Sequence, residues 1–457
     1  DSDYTVTSAT DTTTSVVAKK MNVYGGMRMG GNSYYGLDVL TPSAPKLLFN
    51  IVGGTGSFTR MGQTWSKPVM ANIRYGNAIR RVMIVGGGYD MCYENPRFKL
   101  GNPVTNVSTD YKDATCNNKT QANGNAVYII DAKTGERIWW ASSSAADTNN
   151  TSMTHSIVSR ISTLDRDSDG LVDQLYFGDL GGQVFRIDLN NTKNTSTANF
   201  GKRIVRLANL GTKADGTTIT NGDQPRFYQP PTLTVHDEAS STFVMVGIAS
   251  GDRSTPLDVS PTVGRELMKP FNVLTSRPNN NVYGLIDRDI GDANLYTVKD
   301  SELKTVDLTL KSLFENPQKI TTKVSETFFP YAKDGKQGWY RSLSSDQDGT
   351  MIPNRAGGGV KAFEEEPVAM TGRLIVPVYD PQGTGLTDRQ NPCQPRVVGE
   401  SNTQQFCLPF GACLNSTTGL VDKVVDALTG FQFKDGKNQN LLGPGIQGIT
   451  FGPADPS

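Results

Sequence analysis

The sequence predicts an all-β chain, a propeller of repeated four-stranded sheets, from its length, its turn-rich composition and a recurring strand-turn signature. At 457 residues it exceeds the size at which one compact core usually splits, and a propeller escapes that limit by adding core blade by blade. Hydrophobic residues make up 36%, charged residues only 20%, and there are 47 glycines. Long surface helices need a charged outer face, so this composition favours short strands joined by Gly, Thr, Asn and Asp turns.

Charge narrows the function classes. The 45 basic and 45 acidic residues cancel, and no basic run supplies a nucleic-acid footprint or a polybasic membrane patch. No apolar stretch approaches the roughly 18 residues of a membrane span, so direct membrane insertion is not expected. The chain opens on Asp1-Ser2-Asp3 rather than Met, which we read as a piece of a longer or processed protein.

The five cysteines are Cys92, Cys116, Cys393, Cys407 and Cys413. None forms C-x-x-C, and with only His155 and His236 available a zinc site is not expected. Cys92 and Cys116 flank a polar insertion, which suits a disulfide closing that loop. Two of the other three can pair likewise, leaving one thiol over. The competing reading, buried free thiols in a reducing compartment, fits polar loops less well.

Residues 1–20 are rich in Ser, Thr and Asp without periodicity and read as linker from an N-terminal region outside this chain. Residues 21–457 read as a single propeller domain with loop insertions. Strand signals recur at Tyr34–Leu40, Lys46–Gly53, Arg81–Gly88, Ala126–Ala132, Arg137–Ala141, Ser156–Thr163, Gln174–Leu180 and Gln183–Leu189. They continue at Arg203–Leu210, Thr242–Ser250, Asn281–Arg288 and Leu374–Tyr379. One weak helical candidate lies at Ser301–Glu315.

Four segments share the form small/polar, hydrophobic or aromatic strand, Asp: Ser33–Asp38, Asn125–Asp131, Gly182–Asp188 and Asn281–Asp287. The terminal Asp can close a turn by accepting from its own backbone. Asn125–Trp140 spells out the whole unit as strand, Asp-Ala-Lys-Thr-Gly turn, and strand ending in tryptophan. This pattern resembles the repeat of quinoprotein dehydrogenases and related propellers.

The strongest chemical signal is Asp165-Arg166-Asp167-Ser168-Asp169-Gly170-Leu171-Val172-Asp173. Carboxylates on alternating positions repel one another at neutral pH unless a cation sits among them. Oxygen-only ligands suit a hard ion, and calcium tolerates an irregular cage better than magnesium. Asp165, Asp167 and Asp169 would bind through side chains, Gly170 would take the bend that turns the Leu171 carbonyl inward, and Asp173 would close the site. Tyr176 stands where an EF-hand has its bidentate Glu, and the flanks are strand-like. The loop therefore resembles the nine-residue calcium loops between strands of propellers such as integrin α subunits, with Ca2+ as the implied ligand. An Asp-rich surface turn holding no metal is the plainer alternative. In the hairpin that follows, Asp179 would close the turn.

Several segments together resemble the C-terminal domain of the type IV pilus tip proteins of the PilC/PilY family. They are Gly26–Tyr35, Gly62–Val69, Gly86–Asp90, Gly124–Trp139, the Asp165–Asp173 loop with Gly178–Asp188, Ser250–Arg253 and Gly338–Tyr340. The resemblance implies a modified seven-bladed propeller with the calcium loop on one blade, its ligands falling at Asp165, Asp167, Asp169, the Leu171 carbonyl and Asp173. It further implies a secreted protein, exported through the periplasm and outer membrane to the pilus tip or bacterial cell surface. There such proteins assist pilus biogenesis, oppose retraction and so govern twitching motility, and serve as adhesins. The implied partners are pilus (minor) pilins and a host-cell or surface receptor.

The enzyme rival is a PQQ-type periplasmic dehydrogenase, also a calcium-using propeller. The adjacent cysteines often found there are missing, and a self-contained calcium loop leaves little of the ion for a cofactor. Trp65, Trp139, Trp140 and Trp339 offer stacking surfaces for a quinone, yet core packing is the commoner use of tryptophan. His155 and His236 look structural rather than catalytic. The Glu364–Glu366 run reads as solvated acids, and Gly86–Gly88 as a strand-end bend without the lysine of a phosphate loop. A purely structural, calcium-stabilised propeller is the third reading. No catalytic residue is expected. The loops at 95–123 and 255–280 are the expected contact surfaces.

Overall fold

The computed structural model describes residues 1–8, 14–95, 98–101, 114–212, 217, 224–254, 280–346, 350, 360–363, 365–381, 399–422 and short stretches between 433 and 444. Cys393, Glu364, residues 96–97 and 102–113 of the loop at 95–123, and residues 255–279 of the loop at 255–280 lie outside the described residues. Within them the chain is all-β, its helices being single 3-10 turns. Among the described residues no helix is long and apolar enough to cross a membrane.

The strands form successive meanders. Ser2–Ser8, Thr14–Gly26, Ser33–Asp38 and Lys46–Val52 pair in chain order, each antiparallel to the next. Val69–Tyr75, Ala78–Gly86, Ala126–Asp131 and Arg137–Ser142 repeat the scheme, with the short parallel strand Thr148–Asn149 added at the edge. Ser162–Leu164, Gln174–Gly178, Gln183–Leu189 and Gly201–Asn209 make a third sheet. Thr232–Glu238, Ser241–Ala249, Asn281–Asp287 and Gly338–Ser342 make a fourth, and Arg373–Asp380 with Glu400–Cys407 anchors a fifth.

By chain contacts the molecule divides into two compact units, residues 1–91 with 120–177 and 186–205, and residues 92–119 with 178–185 and 206–457. The first has a core of Tyr34, Phe49, Ile51, Met83, Tyr128 and Trp140. The second is built on Trp339, which is fully buried with Val282, Leu374, Val376 and Phe406. Burial alternates along Ser33–Asp38 and at Phe49 and Ile51 of Lys46–Val52, as period-2 side-chain geometry requires, whereas Asn281–Asp287 and Arg373–Asp380 are buried along nearly their whole length.

Three expectations change. Within the stretch expected as linker, Ser2–Ser8 and the residues from Thr14 onward are strand, with Thr5 opposite Val17 and Ser2 opposite Met21. Threonine and valine favour extended backbone even where hydrophobic periodicity is missing. Ser156–Ile161 is buried irregular chain, and only Ser162–Leu164 pairs as strand. Its polar groups are met by single contacts, Ile157 N donating to the Gly124 carbonyl at 3.0 Å and Ser156 Oγ to that of Asn123 at 2.6 Å. The Ser301–Glu315 stretch holds 3-10 turns at Asp300–Glu302 and Leu310–Ser312 and a short strand. The Lys304 and Thr305 amides donate to the Asp289 carboxylate at 2.8 and 3.0 Å rather than continuing a helix.

Disulfides join Cys92 to Cys116 and Cys407 to Cys413, with Cα atoms 5.6 and 5.0 Å apart. The Arg226 guanidinium donates to the carbonyls of Tyr93 and Asn95 and pairs with Asp252 at 3.2 Å, so the disulfide-bearing excursion is bound to the body of its unit. Gly86–Gly88 is a strand end, and a Cβ on Gly88 would lie 2.2 Å from the Gln63 carbonyl oxygen.

Candidate metal centre

The Asp165–Asp173 segment is the connection of a hairpin. Leu164 faces Gln174 across the strand pair, and Asp173 N donates to the Leu164 carbonyl at 2.9 Å. The loop is pinned from below by the buried Leu171 and Val172, and Val172 N donates to the Asn72 carbonyl at 3.0 Å. Two residues take left-handed backbone, Ser168 at φ 62° and Gly170 at φ 86°. Glycine meets that requirement without strain, and the bends turn the flanking carboxylates inward.

Asp165, Asp167 and Asp173 each offer a carboxylate oxygen such that all three lie within 4.8 Å of one another. Calcium takes oxygens at about 2.3–2.6 Å, so two on opposite sides of an ion stand about 5 Å apart. The spacing and the donor chemistry thus fit a hard divalent cation. Asp169 is not in that group. Its carboxylate accepts from Leu171 N at 2.8 Å, and its own N–H donates to Asp165 and Asp167 at 3.2 Å each. Gly170 N donates to the other oxygen of Asp165 at 2.8 Å. Leu171 is placed by its buried side chain and by that amide.

Asp173 is the buried member. Burial chiefly pushes its carboxyl above the usual aspartate range, and the charges of Asp167 and Asp169 push the same way. Hydrogen bonds from Arg166 N at 2.9 Å and Asn191 Nδ2 at 3.1 Å oppose them. A cation would remove the strain that three neighbouring carboxylates impose on the ionised form.

Asn191 is the residue that sequence reasoning missed. Its Nδ2 also donates to the Val172 carbonyl at 2.6 Å, and its Oδ1 accepts from Arg74 N at 2.9 Å. It stands 18 residues beyond Asp173, so no local motif could announce it.

Asp179 closes its turn as expected, accepting from Gly181 N and Gln183 N at 2.9 Å each and from Gln183 Nε2 at 2.8 Å. His236 is half-buried, bonded to Thr234 Oγ1 at 2.8 Å and stacked on Phe243, and burial lowers its pKa. Trp139, Trp140 and Trp339 are buried in packed cores. A cavity of about 540 Å³ in the second unit is lined by Glu238, Tyr331, Arg373, Phe410 and the Cys407–Cys413 disulfide, and by none of the four tryptophans.

Fold and loop together define an all-β domain of antiparallel meanders carrying one carboxylate-rich hairpin connection. In fold and in sequence the chain is similar to the C-terminal domain of PilY1, as its motifs led us to expect. The crystal structure of that domain from Pseudomonas aeruginosa superposes with a TM-score of 0.54 at 17% identity, covering 98% of this chain and 78% of that one. The type IV pilus biogenesis factor PilY1 of P. aeruginosa strain UCBPP-PA14 is 23% identical over 455 residues, 95% of this chain and 35% of that protein. PilY1 of strain PAO1 is 25% identical over 208 residues. This chain therefore spans about a third of the first relative's length. No family model matches the chain.

Proposed function

We propose that this chain is a calcium-binding β-propeller domain of a type IV pilus biogenesis factor, acting by binding rather than by catalysis. Asp165, Asp167 and Asp173 supply the carboxylate oxygens, with Asp169 and the Leu171 carbonyl completing the cage. The observation that carries the ion is the convergence of three carboxylates within 4.8 Å on a loop anchored at both ends. The pilus role rests on similarity along 95% of the chain to a protein named for pilus biogenesis.

In this reading the chain is a modified seven-bladed propeller, and the meanders described above are its blades. It works outside the cell, at the pilus tip or cell surface, in contact with minor pilins and with a surface or host receptor. Calcium occupancy orders the loop and so biases pilus retraction and adhesion. The two disulfides suit an oxidising compartment.

The test is calorimetric titration of calcium into chelator-stripped protein, beside an Asp165→Ala/Asp169→Ala double variant. One ion bound per chain, lost in the variant, supports the site and warrants retraction assays in cells carrying the same substitutions. No heat and no melting shift with the native chain would overturn the calcium reading, leaving the similarity-based pilus assignment to be tested by deletion.

A further inference from the structure

We infer that Arg60 and Arg137, with Ser142 at the end of the strand Arg137–Ser142 and Ser143 and Ser144 just after it, form a binding site for a tetrahedral oxyanion, a sulfate or phosphate group. Several arginines described in the first unit are matched to aspartates. Arg80 lies 3.8 Å from Asp131, Arg81 lies 3.1 Å from Asp1, and Arg186 and Arg203 share Asp188. Arg60 and Arg137 form no ion pair among the described residues, although both sit on the same aromatic wall. The nearby acid Asp147 is turned to another task, accepting from Trp140 N at 3.0 Å.

Both cations are held in place. The Arg60 guanidinium donates to Ser142 Oγ, Ser143 Oγ and Ser144 Oγ at 2.6, 2.8 and 2.9 Å. Its own carbonyl accepts from Gly124 N at 2.6 Å, fixing the backbone beneath it. The Ser142 hydroxyl proton goes to the Asn125 carbonyl at 2.6 Å and that of Ser143 to Gln121 Oε1 at 3.1 Å, so these oxygens are committed to receiving Arg60. Arg137 is fastened by the Ser57 carbonyl. The two guanidiniums lie 5.8 and 4.9 Å from the centre of the Trp140 ring. Tyr128 stacks on the same indole at 5.7 Å, and Phe58 packs against Tyr128 at 5.3 Å.

The consequence is electrostatic. Trp140, Ser142 and Ser143 are buried while Ser144 is exposed, so the guanidiniums are backed by apolar rings and open to solvent at one rim. A charge against a low-dielectric wall is screened less than one in open water. Each guanidinium carries five N–H donors, and the bonds above leave donors on both. A tetrahedral oxyanion presents oxygen edges in several directions and can face two separate planar forks, whereas the two coplanar oxygens of a carboxylate match one. The ligand is therefore a sulfate or phosphate group, either a free ion or an ester carried on a larger molecule.

The test is calorimetric titration of sodium sulfate, sodium phosphate and a simple phosphate monoester into the whole chain at constant ionic strength, with chloride as balancing anion and calcium removed by chelator. We expect saturable one-site binding, weakened at least tenfold by Arg137→Gln and by Arg60→Lys, which keeps the charge and loses the fork. Arg80→Gln should leave it unchanged, as should Asp165→Ala. Tighter binding of the ester than of either ion identifies a carried group as the ligand, and equal binding identifies the free ion. Thermal melts of each variant without ligand show that it is folded, and Arg137→Lys serves if Arg137→Gln is not. Absence of saturable binding, or affinities unaltered in both arginine variants, would overturn the inference.

Discussion

Asn191 reaches back across 18 residues of sequence to donate from Nδ2 to the Asp173 carboxylate at 3.1 Å. The same amide holds the Val172 carbonyl, so one side chain fixes both the buried acid and the backbone beside it. The pair links the carboxylate cluster to the strands beneath it.

Replacing Asn191 with alanine should therefore act twice. It strips donors from a buried carboxylate and a buried carbonyl, a loss of about 1–3 kcal/mol of stability. It also frees Asp173 to rotate, and residues that orient ligands typically contribute roughly 10- to 100-fold in metal affinity. Urea melts in chelator and calcium calorimetry separate the two effects. Unchanged calcium affinity in a folded variant would show that Asn191 supports only the fold.

The carboxylates themselves should rank unequally. Asp165 and Asp173 lie in the converging group, whereas Asp169 is engaged with Leu171 N. Asp165→Asn and Asp173→Asn should weaken calcium binding by at least about 1.4 kcal/mol, a tenfold change, and Asp169→Asn by less. The exposed Asp167 should show a change of sign. In chelator, Asp167→Asn relieves repulsion that pushes the Asp173 carboxyl upward, raising stability by a few tenths of a kcal/mol up to about 1 kcal/mol. With calcium present the same change should lower the melting temperature. Equal effects of all four substitutions would fit a simple acidic turn instead.

Asp179 carries a pH dependence. Burial is the main cause of its carboxyl being pushed up to about 7 from an ordinary value of 3.8, despite the opposing hydrogen bonds from Gln183 and Gly181. The fold therefore holds this proton more tightly than the unfolded chain does. Its contribution to stability is most favourable below pH 3.8, declines as pH rises toward 7, and levels off above. Asp179→Asn keeps an acceptor for the turn amides and removes the titration, so the decline between the unfolded value of 3.8 and the folded value of about 7 should flatten. Parallel stability curves for the two proteins across that window would refute the assignment.

What could be read in the sequence follows from where the physics is local. Hydrophobic runs ending in Asp, such as Asn125–Asp131, marked strands because a short apolar run and its turn closure act over a few residues. The aspartates of Asp165–Asp173 stood out because their spacing in sequence is nearly their spacing in space. Glu400–Cys407 was missed because its strand buries polar residues, among them Asn402 and Gln404, which carry no apolar periodicity. Asn191 and the Arg60–Ser142 contact span 18 and 82 residues, distances at which only the folded chain brings partners together.

The core of the second unit offers a test of packing. Trp339 is fully buried, its indole N–H donates to the Pro409 carbonyl at 2.8 Å, and its ring lies 5.7 Å from that of Phe406. The backbone of Gly284 runs so close that an added Cβ would sit 2.4 Å from Trp339 Nε1 and 2.5 Å from Cε2. The three atoms nearest that Cβ all belong to this one side chain. Gly284→Ala should therefore cost about 1–3 kcal/mol as overpacking, and Trp339→Ala about 3–5 kcal/mol as a cavity. In the double variant the new methyl enters space the indole has vacated, so its cost should fall no further than that of Trp339→Ala alone. Denaturant unfolding of the four proteins closes the cycle. Additive losses would mean that Gly284 is required for a backbone reason independent of Trp339.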